Sequence, residues 1–219
     1  MPSIRHIASA KNPPPVIDVG VILNYCQFDD IGPIPRAMLS LNKAPVFEHH
    51  LAGIGQQLHT NTFGVAAICG NTQNKIMDKI PNHVMKIENE KYTSLGDARS
   101  VGLGLRVLNY NKILVLDTDS RITMDMSGIN TQKSYVVLSN THHSNICGNY
   151  DHRTQELEML MYQMDVPFTG IAMFAGKELD LLKVLCFNKD KYKLKTFELI
   201  NEIINLGGHF TAYKYGDKK

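Results

Sequence analysis

Short apolar runs of strand length alternate with helix-period segments through the first half of the chain. Four such runs and three intervening helical segments fall within residues 16–116. The runs at 63–69 and 113–116 are continuously apolar rather than alternating, as strands buried on both faces are. Together these observations predict an α/β fold with a mostly parallel central sheet and helices on both faces.

Residues 1–15 end in Asn12, Pro13, Pro14 and Pro15, which have little capacity for helix or ladder and read as an extended lead-in. The remainder, 16–219, reads as one domain, since no linker or repeat divides it. Residues 16–23 (VIDVGVIL) form the first expected strand, and 24–35 a loop rich in turn formers. A helix is expected over 45–58, with Pro45 in its first turn, where a missing N–H costs little. The segment 63–69 (FGVAAIC) is the second strand, followed by a short helix near 75–79 and a third strand at 83–88. Apolar residues at helical spacing predict a helix over 95–109, capped by Ser94 or Asp97, and 112–116 (KILVL) is the fourth strand. The second half is more mixed. Strands are expected at 135–138, 168–174 and 209–215, and helices at 177–187 and 195–206. Gly207 and Gly208 stop the last helix.

The bulk numbers exclude several classes. The chain has 219 residues and a net charge of +2, so no overall field demands nucleic acid or membrane. Local basic segments remain at 189–195 and at Lys218 and Lys219. Cys26, Cys69, Cys147 and Cys186 show no paired spacing, which favours reduced thiols and a cytoplasmic location over a disulfide scaffold. No apolar run reaches membrane-spanning length, and no signal core follows Arg5 and His6. His49 and His50 fall on a helix and read as packing or surface residues. His142, His143, Cys147, Asp151 and His152 match no common zinc spacing. No nucleophile elbow or Walker loop is present.

The most informative stretch runs from Lys112 to Ser120, where a buried strand ends in Asp117, Thr118 and Asp119. Ligands in open α/β sheets bind beyond the carboxyl ends of strands. Two hard carboxylates there can hold Mg²⁺ or Mn²⁺ against nucleotide phosphates; the alternative is a turn capped by aspartate. After the first strand, Asn24, Tyr25 and Gly32 are candidate nucleotide contacts, though one glycine makes a sparse phosphate cradle. Pro33 and Pro35 stiffen the chain around Arg36, whose guanidinium suits phosphate. Lys43 is a second candidate cation. Asn89, Ser94 and Ser100 flank the start of the third helix and can read a base or an acceptor.

This order of segments resembles the nucleotidyltransferase-like branch of the nucleotide-diphospho-sugar transferase (GT-A) fold, in particular the sugar-phosphate and phosphocholine nucleotidyltransferases. Gly32-Pro33-Ile34-Pro35-Arg36 and Asn42-Lys43-Ala44-Pro45 stand in the places of its phosphate-binding turns. Residues 88–92 (ENEKY) look like its Asn-x-x-Tyr segment, Ser100 and Val101 like the helix that follows, and 116–120 (LDTDS) like its metal-binding strand end. Residues 168–174 (FTGIAMF) are similar to the strand that shapes the acceptor pocket.

The chain departs from the pattern in a reduced glycine-rich loop and in Arg36 where a lysine is usual. It also has no late Ile-Asp-Thr-x-x-Asp segment; Asp217 does not fit the spacing. The resemblance implies a metal-dependent transferase joining an NTP to a phosphorylated sugar or alcohol. In that reading Asp117 and Asp119 hold the metal, while Arg36, Lys43 and Asp119 serve catalysis. Two alternatives stay open. One is a glycosyltransferase using a nucleotide-sugar donor through the Asp-x-Asp pair, with an acceptor that extends to nucleic acid if residues 189–195 contact it. The other is a catalytically inactive binding or structural protein on the same fold.

Overall fold

The computed structural model describes residues 19–26, 36–38, 40–41, 43–57, 63–70, 74–92, 94–118, 120, 132–163 and 166–215. The expected lead-in at 1–15 lies outside them. The elements in chain order are β1 (Val19–Asn24), a 3₁₀ turn (Arg36–Met38), β2 (Ser40–Leu41), β3 (Ala44–Pro45), α1 (Val46–Gln57), β4 (Phe63–Gly70) and α2 (Asn74–Met77). They continue with β5 (Met85–Asn89), α3 (Asp97–Val107), β6 (Lys112–Asp117), β7 (Tyr135–Ser139), β8 (Ile146–Tyr150), β9 (Leu157–Tyr162) and β10 (Val166–Ala175). The last are α4 (Gly176–Phe187), a 3₁₀ turn (Lys189–Lys191), α5 (Thr196–Asn205) and β11 (Thr211–Tyr215).

The main path of the sheet runs β11-β7-β10-β6-β1-β4-β5. Pairing is parallel for β1 with β4 and β6, for β4 with β5, and for β11 with β7. Only β10 runs against its neighbours β6 and β7. The mostly parallel α/β architecture expected from the sequence is the one observed.

Side chains of a strand alternate between faces, and two cores result. Ile22, Ala66, Ile68, Ile113 and Val115 pack against Ala98, Val101 and Leu105 of α3, Leu179, Leu182 and Leu185 of α4 and Leu199, Ile200 and Ile203 of α5. Their neighbours Val21, Leu23, Val65, Ala67, Leu114 and Leu116 pack on the opposite side against Phe47 and Ile54 of α1 and Ile76 of α2. Each fully buried branched or aromatic side chain contributes about 1.5–3 kcal/mol. The same alternation decides where polar residues at the strand ends point.

Two expectations are corrected. α3 begins at Asp97 after Gly96, with no side-chain cap; neither Ser94 nor Asp97 caps it, because the Asp97 carboxylate is engaged elsewhere. The antiparallel hairpin of β8 and β9 was not expected. Its second strand reads LEMLMY, a run of good helix formers. It is held as a strand by pairing to β8 and by Asn201 of α5, whose amide accepts from Leu160 N–H at 2.8 Å and donates to Leu160 C=O at 2.7 Å. That side chain supplies a ladder rung on β9, blunting an edge that would otherwise invite pairing.

Candidate functional site

β1 and β6 are adjacent parallel strands in a register that sets Asn24 opposite Asp117. Both follow the parity of Ile22, Ile113 and Val115, so both face the α3 and α5 side, at the carboxyl end of the sheet. Asn24 is fully buried and its Nδ2 donates to Asp117 Oδ1 at 3.2 Å. Two further residues complete the cluster. Thr196, the first residue of α5, donates its backbone N–H to Asp97 Oδ2 at 2.9 Å. Its Oγ1 lies 3.2 Å from Asp97 Oδ2 and 3.0 Å from Asp117 Oδ1.

One hydroxyl therefore bridges two carboxyl groups. It carries one proton and can satisfy only one carboxylate at a time. Burial lifts the Asp97 carboxyl above its ordinary pKa, against hydrogen bonds from Thr196 and Asn24 and the charge of Lys195. Like charges brought together disfavour joint ionisation. The buried Asn24 Oδ1 has no hydrogen-bond partner, an uncommon condition for a buried polar atom.

The donors gathered here are carboxylate, amide and hydroxyl oxygens. Hard oxygens of this kind suit Mg²⁺ or Mn²⁺, not a softer metal, and a divalent cation would offset the paired negative charge. Among the described residues no three Asp, Glu, His or Cys side chains converge, so such a cation would draw on the amide and hydroxyl oxygens as well. Gly170 in β10 allows the arrangement. Its φ is +78°, and a Cβ there would lie 3.0 Å from Asp117 Cβ. It sits where the β10–β7 register shifts, between Phe168 and Ala172.

The opposite face of the same strand end carries a second polar set. Tyr25 and His50 are fully buried and their rings stack at 5.8 Å. Tyr25 Oη lies 3.1 Å from His50 Nδ1, and His50 Nε2 lies 2.6 Å from Ser120 O. Ser120 donates to Asp117 O through its N–H at 3.0 Å and its hydroxyl at 2.6 Å. The Thr118 hydroxyl donates to Asn24 O at 3.0 Å.

The other candidates sit apart from this centre. Asn89 Nδ2 donates to Ser100 Oγ at 3.0 Å, and Asn89 Oδ1 accepts from Lys91 N–H at 3.2 Å. This pair ties the end of β5 to α3, three strand spacings or about 14 Å from β6. Ser94 is exposed and donates to Lys91 O at 3.2 Å. Lys43 is exposed at the turn joining β2 to β3, with φ 73°. Arg36 opens the 3₁₀ turn after β1. Gly32 and Asp119 lie outside the described residues.

No protein-family model matches the chain, and no curated protein matches it. Solved structures do. The CTP:phosphocholine cytidylyltransferase of Streptococcus pneumoniae superposes with a TM-score of 0.70 at 14% identity, over 93% of this chain and 92% of that one. The inositol-1-phosphate CTP transferase of T. maritima gives 0.67 at 12% identity, over 92% and 87%. The nucleoside-diphosphate-sugar pyrophosphorylase of Vibrio cholerae gives 0.65 at 18%, over 90% and 92%. The chain has the fold of the sugar-phosphate and phosphocholine nucleotidyltransferases, as the order of its sequence motifs implied.

Proposed function

We propose that the protein is a nucleotidyltransferase that joins an NTP to a phosphorylated sugar or alcohol and releases pyrophosphate. The observation that carries this reading is the Asn24–Asp97–Asp117–Thr196 cluster. It gathers hard oxygen donors at the carboxyl ends of β1 and β6, where this sheet type binds ligands, around a buried Asn24 Oδ1 that has no hydrogen-bond partner.

A phosphate oxygen of the acceptor attacks the α-phosphorus. A new P–O bond forms, the bond between the α-phosphorus and its bridging oxygen breaks, and pyrophosphate leaves with the electron pair. A phosphomonoester loses its second proton near pH 6, so the attacking oxygen is already ionised and needs no general base. What the protein supplies is positioning and charge. Asp117, Asp97 and Asn24, with Asp119, would hold Mg²⁺ or Mn²⁺, which when bound offsets the charge of the nucleotide phosphates. Arg36 and Lys43 are assigned to neutralising charge on the transferred and leaving phosphates. Asn24 and Gly32 are assigned to the nucleotide side, while Tyr25 braces β1 from the opposite face of the sheet. Asn89, Ser94 and Ser100 shape the turn between β5 and α3 that borders the base.

The test is an incubation with each NTP, Mg²⁺ and either phosphocholine or a sugar 1-phosphate, read by pyrophosphate release and by ³¹P NMR. One combination should yield pyrophosphate and a diphosphate-linked product in equal amounts. Absence of pyrophosphate with all of them, or nucleoside diphosphate release from a nucleotide-sugar instead, contradicts the proposal.

A further inference from the structure

We propose that His50 is a positioning residue for the acidic end of β6, a role that rests on the nucleotidyltransferase reading. A carbonyl oxygen can only accept, so the 2.6 Å contact with Ser120 O fixes the proton on His50 Nε2. On the other side of the ring, Nδ1 and the Tyr25 hydroxyl share a hydrogen bond at 3.1 Å. The ring is held from both sides and is fully buried.

The chain of contacts leads to the site through backbone. His50 grips the carbonyl of Ser120, and Ser120 grips the carbonyl of Asp117 with both its N–H and its hydroxyl. Thr118, on the other side of Asp119, is tied to the Asn24 carbonyl. Both residues flanking Asp119 are thus anchored, one to β1 and one to α1. The His50 side chain reaches the Asn24–Asp97–Asp117–Thr196 cluster through the backbone from which Asp117 projects. Groups that orient the ligating carboxylates act on affinity at one remove.

The experiment measures binding of Mn²⁺ alone, by electron paramagnetic resonance of the free ion, to the wild type, Asp117→Asn and His50→Leu. Folding is checked by circular dichroism. The expected result is loss of Mn²⁺ binding in D117N and about 10–100-fold weaker binding in H50L. Loss in D117N with wild-type affinity in a folded H50L overturns the positioning role and leaves the functional reading standing. Unchanged affinity in D117N overturns both.

Should H50L not fold, His50→Gln and His50→Asn decide. Glutamine places an amide N–H near the position of Nε2, and asparagine near that of Nδ1. The proposal requires H50Q to bind Mn²⁺ more tightly than H50N, and equal affinities overturn it. A merely structural histidine would change melting temperature in both without separating their Mn²⁺ affinities.

Discussion

Two polar clusters flank the end of β6, one on each face of the sheet, and they follow opposite rules. On the α1 face, the Tyr25 hydroxyl, both ring nitrogens of His50 and the carbonyls of Ser120 and Asp117 are all in hydrogen bonds. On the α3 and α5 face, two carboxyl groups share one hydroxyl and a buried amide oxygen has no partner. A fully satisfied buried network rigidifies; a partly satisfied one is costly unless something else completes it. One cluster is complete in itself, and the other has the open oxygen that the proposed ligand would meet. Strain of this kind persists where the surroundings over-determine it and function uses it.

The comparison breaks most visibly at Asp117. Asp117→Asn is expected to lower kcat/KM for nucleotidyl transfer by at least about 100-fold while the melting temperature holds or rises, because the variant removes one of two apposed charges. An activity loss accompanied by unfolding would place Asp117 among the structural groups instead.

Tyr25→Phe attacks the satisfied face. It removes the Tyr25 hydroxyl from its buried hydrogen bond with His50 Nδ1 and should cost about 1–3 kcal/mol of stability, read by denaturant titration. A cost near zero would show that the network does not hold the strand end.

Gly170→Ala tests the contact between the clusters and β10. A left-handed backbone costs a non-glycine residue about 1–2 kcal/mol, and the added Cβ meets Asp117 at 3.0 Å. Stability and cation affinity should fall together; a fall in stability alone would detach Gly170 from the site.

The smallest effect is expected from Asp97→Asn. Burial raises the folded pKa of Asp97 above its ordinary value, so the folded state binds this proton more tightly than the unfolded chain does. Its contribution favours folding at acid pH and is lost as pH rises from about 4 through the raised value. The asparagine variant, without cation, should therefore show a flatter rise and fall of melting temperature over that range and no loss at pH 7. Identical pH profiles would mean that Asp97 is not strained by its burial.

Much of this was legible in the sequence because it is local. The apolar runs that became β1 and β6 end in Asn24 and Asp117, and alternation along each strand predicts the face on which those residues fall. Asp97 and Thr196 were not legible as partners. They are separated by 99 positions, and only the packing of α5 against α3 brings them together. His50 reads as an ordinary helical residue until the Ser120 carbonyl is seen above it. The β8–β9 hairpin was missed for a related reason: its second strand carries helix-forming residues, and tertiary pairing with β8 and Asn201 overrides that preference.

In the proposed function the α3 and α5 face binds a cation together with a nucleotide. The direct measurement is the melting temperature of wild type and Asp117→Asn with each NTP, in Mg²⁺ and in EDTA, since a ligand that binds the folded state raises it by mass action. An Mg²⁺-dependent rise with at least one NTP is expected in the wild type and none in the variant. An equal rise in both proteins, or no rise in the wild type with any NTP, would contradict it.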